Sequence, residues 1–196
     1  MTIFLILAPY GAFAVLMLVT SPVVSLFAGA AICLAVIVRD AARGRSLKIL
    51  GAGSMVVFAG LGAYVSLVDP HVSPSAVRLA VDSGVFLISL TSMLARHPFT
   101  MQYALESVSA ETAAMPGFVR ANYVITGAWA LAMFLMMISN AALLYAPGLP
   151  VWTGLLVAVA ARNTAVFFTK WYPAHRTAKY GSRAGQSAAH APILTT

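Results

Sequence analysis

Charge is what this sequence has least of. Of 196 residues, 12 are Lys or Arg and 5 are Asp or Glu, so 9% are charged while 61% are hydrophobic. A water-soluble domain carries about 25% charged residues. At this depletion a surface facing water on every side is excluded, and the mean hydropathy of +0.89 agrees. Cysteine is nearly missing: the single Cys33 excludes an intrachain disulfide and says nothing further about redox compartment. Ligand and catalytic signatures are missing too. The chain has no HExxH or CxxC, no GxSxG turn and no phosphate-binding glycine loop. His71, His97, His175 and His190 are scattered, with no pair at helical ligand spacing. Neither a metal nor a cofactor is expected.

In their place the chain holds long apolar runs. Crossing a bilayer takes about 20 mostly apolar residues, and about six segments qualify, near 2–19, 23–38, 47–68, 76–95, 122–145 and 151–171. Backbone groups in lipid must pair internally, and these runs lack the alternation of barrel strands, so each reads as a helix. The expected fold is all-α, a polytopic transmembrane helical bundle over residues 1–172. A flexible cytoplasmic tail rich in Ala, Ser, Gly, Lys and Arg is expected over 173–196. The first run has no basic leader segment, and the small residues Ala28 to Ala30 lie inside a run continuing to Val38. It therefore reads as a retained helix rather than a signal peptide. No internal repeat supports an inverted-repeat transporter fold.

Lys and Arg set the orientation. Arg39, Arg43, Arg45 and Lys48 fall in or beside the second connection, Arg96 and Arg120 in the fourth, and Arg176, Lys179 and Arg183 after the last span. The connections between them, Ser21-Pro22, DPHVSPS and APGLP, hold no Lys or Arg. This strict alternation predicts both termini in the cytoplasm. The net charge of +7 then reads as attraction to anionic lipid headgroups, not to nucleic acid. Trp152, Trp171 and Tyr172 bracket the sixth span, where an aromatic belt belongs.

Candidate functional residues are the polar ones inside the spans. Asp82 and Arg162 are costly there unless paired, snorkelled or placed along a pathway. An Asp82–Arg162 pair tying two helices is one reading, Arg78 as the partner of Asp82 another, and an ion or solute path a third. Asn140 and Asn163 suit interhelical hydrogen bonds, or the same path. In the glycine-rich third span, Gly53 and Gly60 would let helices approach closely, within the bundle or across a homodimer seam. Between spans four and five lies ARHPFTMQYALE. Phe99 and Tyr103 are four apart, as are Met101 and Leu105, which predicts an interfacial amphipathic helix with Gln102 and Glu106 toward water. Arg96, His97, Phe99, Tyr103 and Glu106 would then form a bracing or partner-docking segment, or, with Glu111, a catalytic one.

The order of features is also informative. A span with Pro9 is followed by a short span running into RDAARGRSLK. A third span, GAGSMVVFAGLGAYVSLVD, is followed by a fourth with a long polar connection, and then by PGFVRANYVITGAWALAMF. Over roughly residues 1 to 170 this layout resembles the intracellular septation protein A family of bacterial inner-membrane proteins. The resemblance implies a non-enzymatic role in cell-envelope maintenance or division, exerted through membrane protein partners, and it transfers no catalytic residues. The residues alone leave two alternatives open: a small ion or solute transporter using Asp82 and Arg162, and an enzyme acting on lipid headgroups at the cytoplasmic face.

Overall fold

Each apolar run is helical in the computed structural model, which describes the backbone of residues 3–146 and 148–189 and the side chains of 5–146 and 148–176. Six long helices are α1 (Ile3–Val19), α2 (Pro22–Ala42), α3 (Ile49–Leu67), α4 (Pro74–Leu94), α7 (Pro116–Tyr145) and α8 (Val151–Ala189). Two short ones, α5 (Phe99–Ala104) and α6 (Ala110–Ala114), fill the connection between α4 and α7. No strand occurs among the described residues. Five helices, α2, α3, α4, α7 and α8, are long and apolar enough to cross a membrane. The 17 residues of α1 stand at the lower end of the spanning range of about 17–25. Large apolar side chains remain outside, among them Val56 at 66%, Leu67 at 83% and Leu94 at 82% exposure. A surface this apolar is matched by lipid, not by water. The protein is an integral, multi-pass, all-α membrane protein.

Two Ser-Pro pairs explain where helices begin. The Ser21 hydroxyl accepts from the Val24 amide at 3.4 Å and the Ser73 hydroxyl from the Ala76 amide at 3.2 Å. In each case the following proline takes the first helical position, where it has no amide to leave unpaired. At the other end of α4 the chain stops in a Schellman arrangement. His97 N–H donates to Ser92 O at 2.9 Å and Arg96 N–H to Met93 O at 3.1 Å. Arg96 occupies the left-handed position of that motif, at φ 61°, which glycine usually fills.

The long helices pack in chain order: α1 on α2, α2 on α3, α3 on α4, α4 on α7 and α7 on α8. Aromatic side chains seat on glycines to close these seams. The Phe58 ring, fully buried, lies where a Cβ on Gly29 would be 3.0 Å away, and it meets Phe13 at 5.3 Å between centroids. Gly62 faces the Phe27 ring, Gly53 faces Ile88, and Gly84 faces Val57. Of the two glycines singled out in the sequence, Gly53 packs against α4, whereas Gly60 has nothing within 4 Å of its Cβ direction. A Cβ at Gly84 would lie 2.8 Å from a methyl of Val57, a β-branched side chain with little freedom to turn away. Gly84→Val should therefore lower stability by about 1–3 kcal/mol through overpacking, while Gly60→Ala should be neutral or better. Thermal unfolding in detergent checks this, and equal shifts for the two variants would remove the packing argument.

Two boundaries differ from expectation. The fifth span's helix starts at Pro116 rather than 122, because Pro116 provides another helix start. The last helix runs through Pro173 to Ala189 instead of ending near 171. Beyond the span it is held by side chains: Phe168 stacks with Tyr172 at 5.2 Å and Trp171 with His175 at 4.9 Å. The Arg176 guanidinium also donates to Gly117 O at 3.2 Å. Residues 190–196 of the expected tail, with His190, lie outside the described residues, as does the start of the first span at 2.

Candidate functional site

The row of helices leaves a cavity of about 500 Å³ between α1, α4, α7 and α8. That volume falls inside the range of small-molecule sites, roughly 300–1,000 Å³. Its two flanking helices, α1 and α8, are the ends of the row and do not pack closely on one another. Both contribute walls: Leu7, Phe13 and Leu18 from α1, Trp152, Leu155 and Ala158 from α8. The lining is mostly apolar, and its charged groups lie on the walls away from α5.

There α4 presents Asp82 and, one turn earlier, Arg78, while α7 presents Asn140 and α8 presents Arg162. Asn140 is buried, and its amide nitrogen donates to Asp82 Oδ2 at 2.7 Å, joining α4 to α7. The Asp82–Arg162 ion pair, one of the readings the sequence left open, is thus not formed. Asn140 sits directly across from Asp82, and Arg162, on the next helix, makes no hydrogen bond or contact-distance ion pair with any described residue. Arg78 does not pair with Asp82 at contact distance either. Both guanidiniums nevertheless lie within electrostatic reach of that carboxylate. Asn163 departs from expectation as well: it is exposed on the outer side of α8 and does not line the cavity.

One end of the cavity has a floor. Phe99, Thr100, Tyr103 and Ala104 of α5 line it. Phe99 is 3% exposed, and its amide donates to Ser92 Oγ at 3.2 Å. Thr100 donates to Asn122 O at 3.0 Å and its hydroxyl meets that of Thr126 at 2.7 Å, fixing α5 to α7. On the other side Gln102 Oε1 accepts from the first amide of α3, Ile49 N–H, at 2.8 Å. Glu106 pairs with Lys48, a residue only 5% exposed, and approaches Arg45 at 3.9 Å. Arg45 in turn lies 3.7 Å from the buried Asp40. The Lys48 ammonium is also 5.8 Å from the centre of the Tyr103 ring. Burial pushes the Tyr103 phenol well above its usual value, helped by the neighbouring Asp40 and Glu106 carboxylates.

The segment ARHPFTMQYALE is accordingly folded inward. Phe99 offers no surface to a partner, Gln102 bonds to the first amide of α3, and Glu106 pairs with Lys48 while keeping part of its surface exposed. The reason is that a short helix beneath a bundle meets protein on both faces, so its amphipathic pattern does not register against the membrane. Arg96 and His97 stay exposed, as the terminator of α4. No hydrogen bond or ion pair joins His97 or Glu111 to Tyr103 or Glu106. Three links between elements were not readable as pairs from the sequence, although Lys48 and Glu106 both lie in polar stretches. These are the bonds of Tyr10 to Ser54 and of Trp129 Nε1 to Thr169 Oγ1, the latter at 2.9 Å, and the partnership of Lys48 with Glu106. No protein-family model, curated protein or solved structure matches the chain.

Proposed function

We propose that this membrane protein takes a small amphipathic molecule into its intramembrane cavity and carries it across or along the bilayer, as a small-solute transporter does. One observation carries the reading: a small-molecule-sized cavity within the spans, apolar in most of its walls, with Arg162 left without a contact partner. A charge placed so deep is costly and serves a pathway or a bound group far more often than it serves packing. The alternation of Lys- and Arg-bearing connections supports a topology with both termini, and the floor made by α5, on the cytoplasmic side of a bacterial inner membrane. Anionic lipid headgroups are the natural neighbours of Arg39, Arg43 and Arg120 at that face.

The test is transbilayer movement of single-chain amphiphiles carrying a fluorescent label, with anionic, uncharged and cationic headgroups, in reconstituted vesicles. Movement is read by quenching of the outward-facing label. At least one headgroup class should move about tenfold faster than in protein-free vesicles, and Ala158→Trp, which fills the cavity, should return the rate to background. Background rates for every class would sink the proposal.

A second reading keeps the resemblance to septation protein A, with a role in envelope maintenance or division through lateral contacts with membrane proteins or a second copy. The exposed Asn163 on the outer side of α8 favours it, because a lipid-facing amide gains from a neighbouring helix. Background transport rates in the experiment above would leave this reading in first place.

A further inference from the structure

We infer that the occupant of the cavity is a single-chain amphiphile with a monoanionic headgroup, a carboxylate or a phosphate ester. It enters sideways from the bilayer through the seam between α1 and α8, and its headgroup seats on Arg162. The inference rests on the cavity reading above and names the ligand class. Three independent features support it.

The first is charge. Formal charges facing the cavity are Arg78, Arg162 and Asp82, two positive and one negative, so the empty site holds a net positive charge that one anion neutralises. Asp82 is already engaged by Asn140, which leaves the two guanidiniums with open donors, and Arg162 lies further into its helix than Arg78 does. A guanidinium presents a fork of N–H groups matched to the two oxygens of a carboxylate or phosphate. Arg162 lies eleven residues into α8, about 16 Å at 1.5 Å per residue, near the middle of a hydrocarbon layer about 30 Å thick. A cation at that depth favours an anionic partner, and a cationic headgroup would meet repulsion from both arginines.

The second feature is shape. Most of the lining is apolar and runs from Trp152 at one end to Tyr103 and Phe99 at the other, so an alkyl chain can lie along it. The volume of about 500 Å³ suits one small amphiphile and not a lipid with two chains. The third is access. The α5 floor, latched to α3 and α7, closes one end. The α1 and α8 walls do not pack on one another, which puts the opening on the side, where an amphiphile already resides. Water-soluble anions lack that route and gain nothing from the apolar walls.

Two of the three tryptophans, Trp129 and Trp152, line the cavity, which gives a direct measurement. The purified protein in uncharged detergent is titrated with brominated sixteen-carbon carboxylate, alkyl phosphate, alcohol and trimethylammonium probes, and quenching of tryptophan fluorescence is followed. Saturable quenching is expected for the carboxylate and phosphate, with at least tenfold weaker binding of the alcohol and weaker still of the ammonium probe. Arg162→Gln should cost the anionic probes about tenfold or more and leave the alcohol unchanged, while Arg162→Lys should recover part of the loss. The headgroup series on the unsubstituted protein stands even if the variants fold poorly. Acetate and inorganic phosphate should not displace the bound probe. Equal affinity for alcohol and carboxylate, or full displacement by inorganic phosphate, would overturn the inference while leaving the cavity as a binding site. Absence of saturable quenching by every probe would overturn the cavity reading itself.

Discussion

Asn140→Leu should lower stability by about 2 kcal/mol, the scale of a hydrogen bond to a charged group. The loss should shrink below about 1 kcal/mol when Asp82 has already been replaced by Asn. The amide of Asn140 is the sole hydrogen-bond partner of the Asp82 carboxylate among the described residues, and it bridges two helices inside the spans. Truncating it strands a carboxylate among apolar walls, with two arginines near but none in contact. With Asn at 82 the same truncation strands only a neutral amide, whose desolvation costs less. Equilibrium unfolding in mixed micelles of the two single variants and the double variant reads the coupling between the sites. Additive losses, with no coupling, would show that the carboxylate finds another partner once Asn140 is gone, with Arg162 the obvious candidate.

Lys48→Ala should have a comparable total effect, about 2 kcal/mol, but a different distribution. Removing one partner of a fully buried ion pair costs roughly 3–5 kcal/mol. Here the penalty is reduced because the Glu106 side chain keeps 19% of its surface and Arg45 lies 3.9 Å away. The loss should concentrate in α5. Lys48 holds Glu106 just beyond the end of that helix and covers Tyr103 within it, whereas the bonds of Thr100 to α7 lie on the other side. Hydrogen exchange of the amides from Met101 to Leu105 should therefore quicken by an order of magnitude or more, while those in the middle of α3 and α4 change little. Uniform acceleration across the bundle would mean that the contact supports the whole fold and is no local latch.

The two predictions fall on opposite sides of what the sequence made legible. Spans are readable because lipid imposes one rule on every residue within them: long apolar stretches with paired backbones. The same rule makes Asp82, Asn140 and Arg162 conspicuous, since each is an exception to it. Which exceptions meet is a different matter. Partnership depends on helix rotation and tilt, and a shift of one residue turns a side chain by about 100°, which is why Asn140 rather than Arg162 faces Asp82. The ARHPFTMQYALE segment was legible in part: it is helical and braces neighbouring helices, through Thr100 to α7 and Gln102 to α3, but which faces it covers was not readable. Its periodicity was correct for a helix, yet the pattern was read against membrane and water, and α5 meets neither on its packed faces. Gly60 shows a similar limit: a small residue permits close approach, but only a neighbour that takes the space turns permission into contact, as Phe58 does over Gly29 and Val57 over Gly84.

The neighbour order of the long helices bears on how the chain is made. Each spanning helix from α2 onward packs on the spanning helix that precedes it, so every span leaving the translation machinery finds its partner already in the bilayer. Assembly then requires no late insertion between finished elements, and contacts of low sequence separation can form as soon as both partners are present. The closure that would join the two ends of the row, α1 to α8, is absent as a packed seam. A nascent chain halted after α7 would already hold the tie between Asp82 and Asn140 and much of the cavity wall, lacking only the helix that brings Arg162.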